Sequence, residues 1–285
     1  MATAFEDAAD HCDELVRSED KDRWLTALFV PEERRPLIHA LYAFNAELAR
    51  VRDQVSQPML GEIRLQWWDD AVTGIYAGTT PDHPVLQLLA YAIAAADLPL
   101  HAFRNMIEAR KTDLYDDPMP SLTDLEGYLG ETAAALIQLA ALVLAGEEAL
   151  KTPTVSGYAG VAMGIVGLMR SLPQARARGQ CMIPLDLLAR RGLTAGDVLA
   201  GRADAAMAVL LAEFRHVAEN RLAEARAAQA EVPLAALPAF LPASLADTYL
   251  RKLSRIGAAV LTRGAEAPQW LKQLRLLRAS WAERF

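Results

Sequence analysis

The chain has 285 residues, of which 53% are apolar, 23% charged and 7% aromatic, a composition typical of globular rather than disordered or fibrous proteins. Its 29 basic residues against 36 acidic ones give a formal charge of −7, which removes the usual electrostatic basis for a nucleic-acid partner. The two cysteines, Cys12 and Cys181, lie far apart and outside any Cys/His cluster. This argues against both a disulfide framework and a zinc site.

The N-terminal segment, MATAFEDAADHCDELVRSED, is acidic and contains neither the apolar run of a secretory signal nor the arginines of a transit peptide. The two most apolar windows, residues 85–96 and 133–145, are shorter than the ~20 residues that span a bilayer. We therefore expect a mature chain that starts near Met1, has no transmembrane segment and resides in the cytoplasm.

Apolar residues recur every three or four positions along the chain, and alternating runs rich in Val, Ile and Thr are missing, which predicts an all-α protein. Prolines and glycines separate the periodic blocks. The predicted helices cover, in chain order, residues 34–56, 61–77, 84–96, 99–115, 121–145, 155–172, 203–230, 239–263 and 267–284. Because no linker or repeat interrupts the series, we predict that residues 1–285 form a single domain.

Two of these helices carry a stripe of small side chains that ends in a polar residue. The members are Tyr42, Ala46, Ala49 and Asp53 on the first helix, and Gly160, Gly164, Gly167 and Ser171 on the second. Each glycine costs about 1 kcal/mol in helix propensity relative to alanine, so the missing side chains should serve a purpose. Two purposes are open: close contact between helices, or the wall of a ligand cavity.

Three further carboxylates, Asp113, Asp116 and Asp117, lie close together near the end of the helix predicted at 99–115. They form either an alternative metal site or a solvated turn ahead of Pro118. The turn is the simpler interpretation, because aspartates and prolines are common in turns.

The last predicted helix, 267–284, is basic and amphipathic. Its large apolar side chains share one stripe, formed by Trp270, Leu274, Leu277 and Trp281, while Lys272, Arg275 and Arg278 occupy other faces. We expect this stripe to close the core. Peripheral contact with an acidic membrane surface is the alternative.

Four blocks of the sequence resemble, in the same order, the squalene/phytoene synthases: YAFNAELARVRD, GEIRLQWWDDAVTGIY, DLEGYLGETAAALIQLA and GIVGLMRSLPQARARGQCMIPLDLL. The resemblance runs over nearly the whole chain and implies an all-α isoprenoid synthase-type fold with a central cavity. In that family two helices carry D-x-x-x-D motifs that hold Mg²⁺ against the diphosphates of two prenyl substrates. Carboxylates four residues apart share a helix face and suit hard cations.

The chain departs from the family at these motifs. Positions where the family carries aspartates hold Ala49, Arg50, Ser171 and Ala175. Asp53 remains at the first motif, Arg170 matches the family's arginine at the second, and Asp22 replaces a serine that contacts diphosphate. Two diphosphates need metal to offset their repulsion and desolvation. We therefore predict no catalytic residue, no metal site and no cofactor.

These departures, together with the segment LPAFLPASLADTYLRKL, resemble the branch of the superfamily that includes a mitochondrial complex I assembly factor. The resemblance implies a non-catalytic protein that acts in complex I assembly or as a binding scaffold, through a subunit or an assembly intermediate at the inner membrane. A divergent Mg²⁺-dependent prenyl diphosphate transferase of the head-to-head type is the alternative. A carrier of a prenyl-type lipid or quinone in the cavity is a third hypothesis, which follows from the glycine stripe.

The resemblance also gives a set of candidate residues for a ligand cavity. They are Tyr42, Arg50, Asp53, Gly164, Gly167, Arg170 and Ser171. Under the transferase alternative, Asp53 would hold Mg²⁺ together with Asp113 or Asp116.

Overall fold

A computed structural model describes the backbone of residues 2–285 and the side chains of residues 4–285. All regular secondary structure in this range is helical, which confirms the all-α prediction. The α-helices are α1 (Ala2–Glu19), α2 (Lys21–Ala27), α3 (Arg35–Arg50), α4 (Pro58–Tyr76), α5 (Pro84–Ala96), α6 (Leu100–Arg110), α7 (Leu122–Leu129), α8 (Ala135–Ala145), α9 (Pro153–Arg170), α10 (Leu172–Ala177), α11 (Leu185–Arg190), α12 (Ala195–Leu199), α13 (Ala205–Ala227), α14 (Leu237–Ser244), α15 (Ala246–Ile256) and α16 (Gln269–Trp281).

Predicted and observed helices agree best where proline or a cap marks the boundary. Helix α5 has its predicted bounds, with Pro84 at its first position. The helix predicted at 239–263 is instead divided into α14 and α15. Pro242 lies inside α14, the helical hydrogen bonding is interrupted at Leu245, and Gly257, with φ of 50°, ends α15.

Helices α1 and α2 were not predicted. Helix α1 buries Ala8, Cys12 and Val16, spaced four residues apart, against α3 and α5. Two of these three buried side chains are small and the helix is rich in acidic residues, although its apolar and polar faces are clearly separated. Helix α2 is capped at its N-terminus by Asp20, whose carboxylate accepts a hydrogen bond from the Arg23 backbone N–H at 3.0 Å.

Helices α7 and α8 join through a π-helical turn, Gly130–Ala134, and continue into a short 3₁₀ turn. The stretch Leu122–Lys151 is the one segment among residues 2–285 with the length and apolar composition to cross a membrane. Half of its most apolar window is buried inside the protein, where α8 packs against α3, α9 and α14. The stretch exceeds the apolar window identified in the sequence because the π turn keeps the helix continuous.

The expectation that the stripe of α16 closes the core is wrong. Its four large apolar residues face outward, with exposed fractions of 65% for Trp270, 37% for Leu274, 58% for Leu277 and 90% for Trp281. The inward face instead carries Lys272, Leu276 and Ala279. Helix α16 packs on α14 and α2, and the buried lysine is held by an ion pair described below.

Candidate functional site

Two adjoining cavities lie between α3, α6, α7 and α9. The first, of about 490 Å³, is bounded by the junction of α1 and α2, the π turn, α9 and the start of α16. The second, of about 260 Å³, is bounded by the end of α3, the segment after α6 and the segment after α10. Arg110, Tyr128 and Leu168 line both cavities and therefore separate them.

The structure distributes the predicted site residues unevenly. Gly164, Gly167 and Arg170 line the first cavity. The second is lined by Asp53, Ser171, Asp113, Asp116 and Asp117. Tyr42 and Arg50 line neither of them.

Tyr42 is buried behind the wall of the first cavity. The guanidinium carbon of Arg23 lies 5.8 Å from the centroid of its ring, and burial raises the pKa of Tyr42 to about 12. Arg50 instead pairs with Glu47 at 3.5 Å and with Glu19, a residue of the first cavity's wall, at 3.9 Å.

A buried carboxylate, that of Asp22, organises one end of the first cavity. It accepts hydrogen bonds from Arg170 Nη1 at 3.0 Å, from Lys272 Nζ at 2.7 Å and from Tyr249 Oη at 2.5 Å. The Arg170 guanidinium carbon also lies 3.8 Å from the Tyr249 ring centroid. The cluster joins α2, α9, α15 and α16 through a single carboxylate.

The charge state of Asp22 follows from these neighbours. Burial works to raise the pKa of its carboxyl, but Arg170, Lys272 and Tyr249 together outweigh burial and hold that pKa below its usual range. Burial, reinforced by the Asp22 carboxylate that Tyr249 faces, raises the pKa of the Tyr249 phenol, which therefore remains a hydrogen-bond donor.

A second carboxylate completes the network from the solvent side. Glu266 Oε1 lies 2.7 Å from Arg170 Nη2, and Glu266 Oε2 lies 3.7 Å from Lys272 Nζ. The side chain of Glu266 is 65% exposed, so this pairing is weaker than that of Asp22. Arg170 and Lys272 are thus both neutralised by acidic side chains of the same chain.

The partition between the cavities is built in the same way. Arg110 donates to Asp113 Oδ2 at 2.9 Å, to Tyr128 Oη at 2.8 Å and to Asn45 Oδ1 at 3.1 Å. Tyr128 Oη in turn donates to Asp113 Oδ2 at 3.0 Å. Asp113 therefore serves the partition as a counter-ion.

The other carboxylates of the second cavity also meet arginines. Asp53 Oδ1 lies 3.1 Å from Arg178 Nη1, and Asp116 Oδ1 lies 3.0 Å from Arg52 Nη2. Asp116 and Asp117 are exposed in the loop ahead of Pro118, the environment of a solvated turn.

The residues do not fit a magnesium centre. Mg²⁺ takes oxygen ligands in octahedral geometry, and carboxylates supply the charge. No group of three or more acidic, histidine or cysteine side chains in the part of the chain that the structure describes has the arrangement to hold a metal ion. Asp53, Asp113 and Asp116 are each paired with an arginine instead.

The glycine stripe of α9 serves both purposes that the sequence left open. A Cβ atom on Gly160 would overlap the backbone of Ala134 in the π turn, and one on Gly164 would overlap the side chain of Leu129. A Cβ atom on Gly167 would enter open space. Gly160 and Gly164 allow α9 to pack closely against its neighbours. Gly167 leaves space in the first cavity that a side chain would occupy.

Two alanine variants test this division. Gly160→Ala should lower the free energy of unfolding by about 1–3 kcal/mol, because backbone atoms cannot move aside as a side chain can. Gly167→Ala should raise it by up to about 1 kcal/mol, because alanine favours helix and meets no neighbour. Urea denaturation of both proteins measures the difference, and equal effects would contradict the assignment.

Sequence reasoning missed three members of the Asp22 network: Tyr249, Glu266 and Lys272. They belong to the C-terminal third of the chain, and no spacing connects them to α2. The one available signal was Lys272 itself, since a lysine between Leu271 and Leu276 marks a polar group on the inward side of an amphipathic helix.

Comparison with known proteins agrees with this architecture. The chain is 31% identical over 275 residues to NADH dehydrogenase (ubiquinone) complex I, assembly factor 6 of Mus musculus, an alignment that covers 96% of this chain and 82% of that protein. Among solved structures, a dehydrosqualene synthase in complex with a ligand superposes with a TM-score of 0.84 at 16% identity, covering 98% of this chain and 97% of that one.

Squalene synthase HpnC from Alicyclobacillus acidocaldarius superposes with a TM-score of 0.76 at 23% identity, covering 89% of this chain and 95% of that one. These two structural likenesses establish the fold. The model of the family described as squalene/phytoene synthase matches residues 16–275. Because that match covers most of its length, the chain belongs to the squalene/phytoene synthase family.

Proposed function

We propose that this chain works without prenyl-transfer catalysis, as a factor in the assembly of respiratory complex I. The observation that carries the proposal is the buried carboxylate of Asp22, which holds both Arg170 and Lys272 by ion pairs. Those two cations line the first cavity and would be the natural partners of a diphosphate. In this chain they already have an anionic partner.

The electrostatics of the cavity work against a diphosphate. To bind Arg170 and Lys272, it would have to displace a buried carboxylate, leaving Asp22 desolvated and beside a polyanion. Among the described residues, no cluster of carboxylates is arranged to bind a divalent cation, which could otherwise offset this repulsion. Without a bound metal ion, the negative charge that develops on a diphosphate leaving group during prenyl transfer would not be stabilised.

The link to complex I comes from the full-length similarity to assembly factor 6, at 31% identity. The share of both chains covered, 96% and 82%, makes the likeness one of whole proteins and not of a shared motif. An assembly factor that acts by binding other proteins through its surface needs no metal-binding carboxylates. This agrees with the residues found at positions 49, 50, 171 and 175.

Deletion of the gene in the source organism tests the proposed role. We expect a several-fold loss of assembled complex I on native gels and of NADH:quinone activity in membranes, with succinate:quinone activity as the unaffected reference. Normal complex I levels in the deletion strain would contradict the proposal.

Complementation of the deletion strain with a variant distinguishes a non-catalytic role from an enzymatic one. The double variant Asp53→Asn/Asp116→Asn removes two exposed carboxylates of the second cavity, so the protein should fold and restore complex I as well as wild type does. Failure of this folded variant would favour metal-dependent chemistry.

The transferase alternative rests on one observation, that Asp53, Asp113, Asp116 and Asp117 all line the second cavity. It predicts release of pyrophosphate from farnesyl or geranylgeranyl diphosphate in the presence of Mg²⁺. We expect no turnover from the purified protein, measured with a family synthase as the positive control. Sustained turnover that Asp53→Asn abolishes would establish the alternative.

A further inference from the structure

The outward stripe of α16 is an apolar surface that no helix of the described chain covers. Trp270, Leu274, Leu277 and Trp281 are spaced four, three and four residues apart, which places them within a narrow arc at 100° per residue. Trp281 is almost fully exposed. Exposed tryptophans on a continuous stripe indicate an interaction surface rather than scattered surface residues.

The stripe is held rigidly from behind. Leu276 and Ala279 are buried on the opposite face, Lys272 forms the ion pair with Asp22, and Arg275 pairs with Asp247. Helix α16 is therefore fixed in its orientation, and the stripe points outward as part of the fold.

A basic cavity of about 620 Å³ borders this helix. Four arginines line it: Arg226, Arg275, Arg278 and Arg284. Arg226 and Arg275 pair with Asp247, whereas Arg278 and Arg284 are exposed and have no acidic partner within residues 4–285. Two free guanidinium groups thus lie beside an exposed apolar stripe on a chain whose formal charge is −7.

A second exposed apolar stripe, on α4, has the opposite charge around it. It consists of Met59, Leu60, Ile63 and Trp67. Helix α4 carries Glu62, Asp69 and Asp70 against a single Arg64, whereas α16 carries basic residues and no acidic one. Charge therefore distinguishes two surfaces of similar apolar character.

We propose that α16 lies on an anionic phospholipid surface. Trp270, Leu277 and Trp281 enter the boundary between head groups and acyl chains, where the amphipathic indole ring is favoured. Arg278 and Arg284 bind the lipid phosphates from the adjoining cavity. Charge complementarity selects this occupant: a basic helix with aromatic residues on its apolar face matches an acidic lipid layer, and the acidic α4 does not. The proposal is independent of the role in complex I assembly.

Flotation of the full chain with vesicles tests it. At low salt the protein should float with vesicles of phosphatidylglycerol and phosphatidylethanolamine and remain behind with pure phosphatidylcholine vesicles. Lipids brominated on their acyl chains should quench its tryptophan fluorescence only in the anionic vesicles. Salt should weaken the binding, because surface charges are screened over about 10 Å at 0.1 M.

Two variants locate the binding. Trp270→Ala/Trp281→Ala and Arg278→Gln/Arg284→Gln should each reduce partitioning to anionic vesicles by about tenfold or more. All four residues are exposed, so the melting temperature should remain that of wild type. The matched control is Met59→Ser/Ile63→Ser, which removes two exposed apolar side chains from α4 and should leave vesicle binding unchanged.

Several outcomes would overturn the proposal. Equal binding to neutral and anionic vesicles would remove the role of the arginines, and equal losses in the α4 and α16 variants would remove the role of α16. If the protein instead forms a dimer that Trp270→Ala/Trp281→Ala dissociates, without vesicle binding by wild type, the stripe is an interface for a second copy.

Discussion

Replacing Asp22 with alanine should lower the free energy of unfolding by about 3–5 kcal/mol at neutral pH, the range found when one partner of a buried ion pair is removed. The change leaves Arg170 and Lys272 without their shared carboxylate and deprives Tyr249 of its acceptor. The comparison is made by urea denaturation. Asp22→Asn keeps the size of the side chain while removing its charge, and provides a second measurement if the alanine variant does not fold.

The matched control is Glu266→Gln. Glu266 pairs with the same two cations, but its side chain is 65% exposed, so its loss should change the free energy of unfolding by less than about 1 kcal/mol. If Asp22→Asn and Glu266→Gln lower the free energy of unfolding equally, burial of the Asp22 carboxylate does not strengthen its ion pairs.

The pH dependence of the difference in unfolding free energy between wild type and Asp22→Asn gives an independent check. The pKa of Asp22 is lowered in the folded protein, so its contribution is fully present above the pKa of the unfolded chain and is lost as the pH falls through the folded value. The gap in stability between wild type and Asp22→Asn should therefore be constant at neutral pH and shrink below about pH 4. A gap that widens on acidification would contradict this assignment.

The sequence was sufficient to predict those parts of the fold that depend on local pattern. Helical periodicity with proline boundaries located α5, and small residues at fixed spacing located the glycine stripe of α9, without deciding between helix contact and a cavity wall. The loss of carboxylates at Ala49 and Ser171 could be read directly, because motif positions are fixed by order along the chain. These are features that a residue and its near neighbours determine.

The Asp22 network could not be predicted in this way, because its members are brought together only by packing. Lys272 lies 250 residues and Arg170 lies 148 residues after Asp22. The sequence indicated a negative charge at Asp22, but not that a lysine from the last helix would neutralise it.

The predicted orientation of α16 was wrong for a related reason. Amphipathicity identifies an apolar stripe without saying whether the protein or an external partner covers it. Here the inward face carries Lys272, whose burial is permitted by Asp22. Without that distant carboxylate, the buried Lys272 would have only the exposed Glu266 as a partner, and the large apolar stripe would be the natural core face.

Replacing Asp22 with serine should raise the affinity for inorganic pyrophosphate well above that of the wild-type protein. The substitution removes the carboxylate 3.0 Å from Arg170 Nη1 and 2.7 Å from Lys272 Nζ, and both cations line the first cavity. A hydrogen bond to a charged group contributes roughly 1.5–3 kcal/mol, so we expect binding to tighten by about 10- to 150-fold relative to wild type. Titration calorimetry at low ionic strength measures the change.

Thermal unfolding separates this gain from the destabilisation that the same substitution causes. A ligand that binds only the folded state raises its melting temperature, so pyrophosphate should stabilise Asp22→Ser and leave wild type unchanged. The control Asp22→Ser/Lys272→Met retains an unbranched apolar side chain at position 272 but removes the ammonium group, and should lose most of the gained affinity. If wild type binds pyrophosphate as tightly as Asp22→Ser, the cavity is not neutralised by its own carboxylate. The electrostatic argument against diphosphate chemistry would then no longer hold.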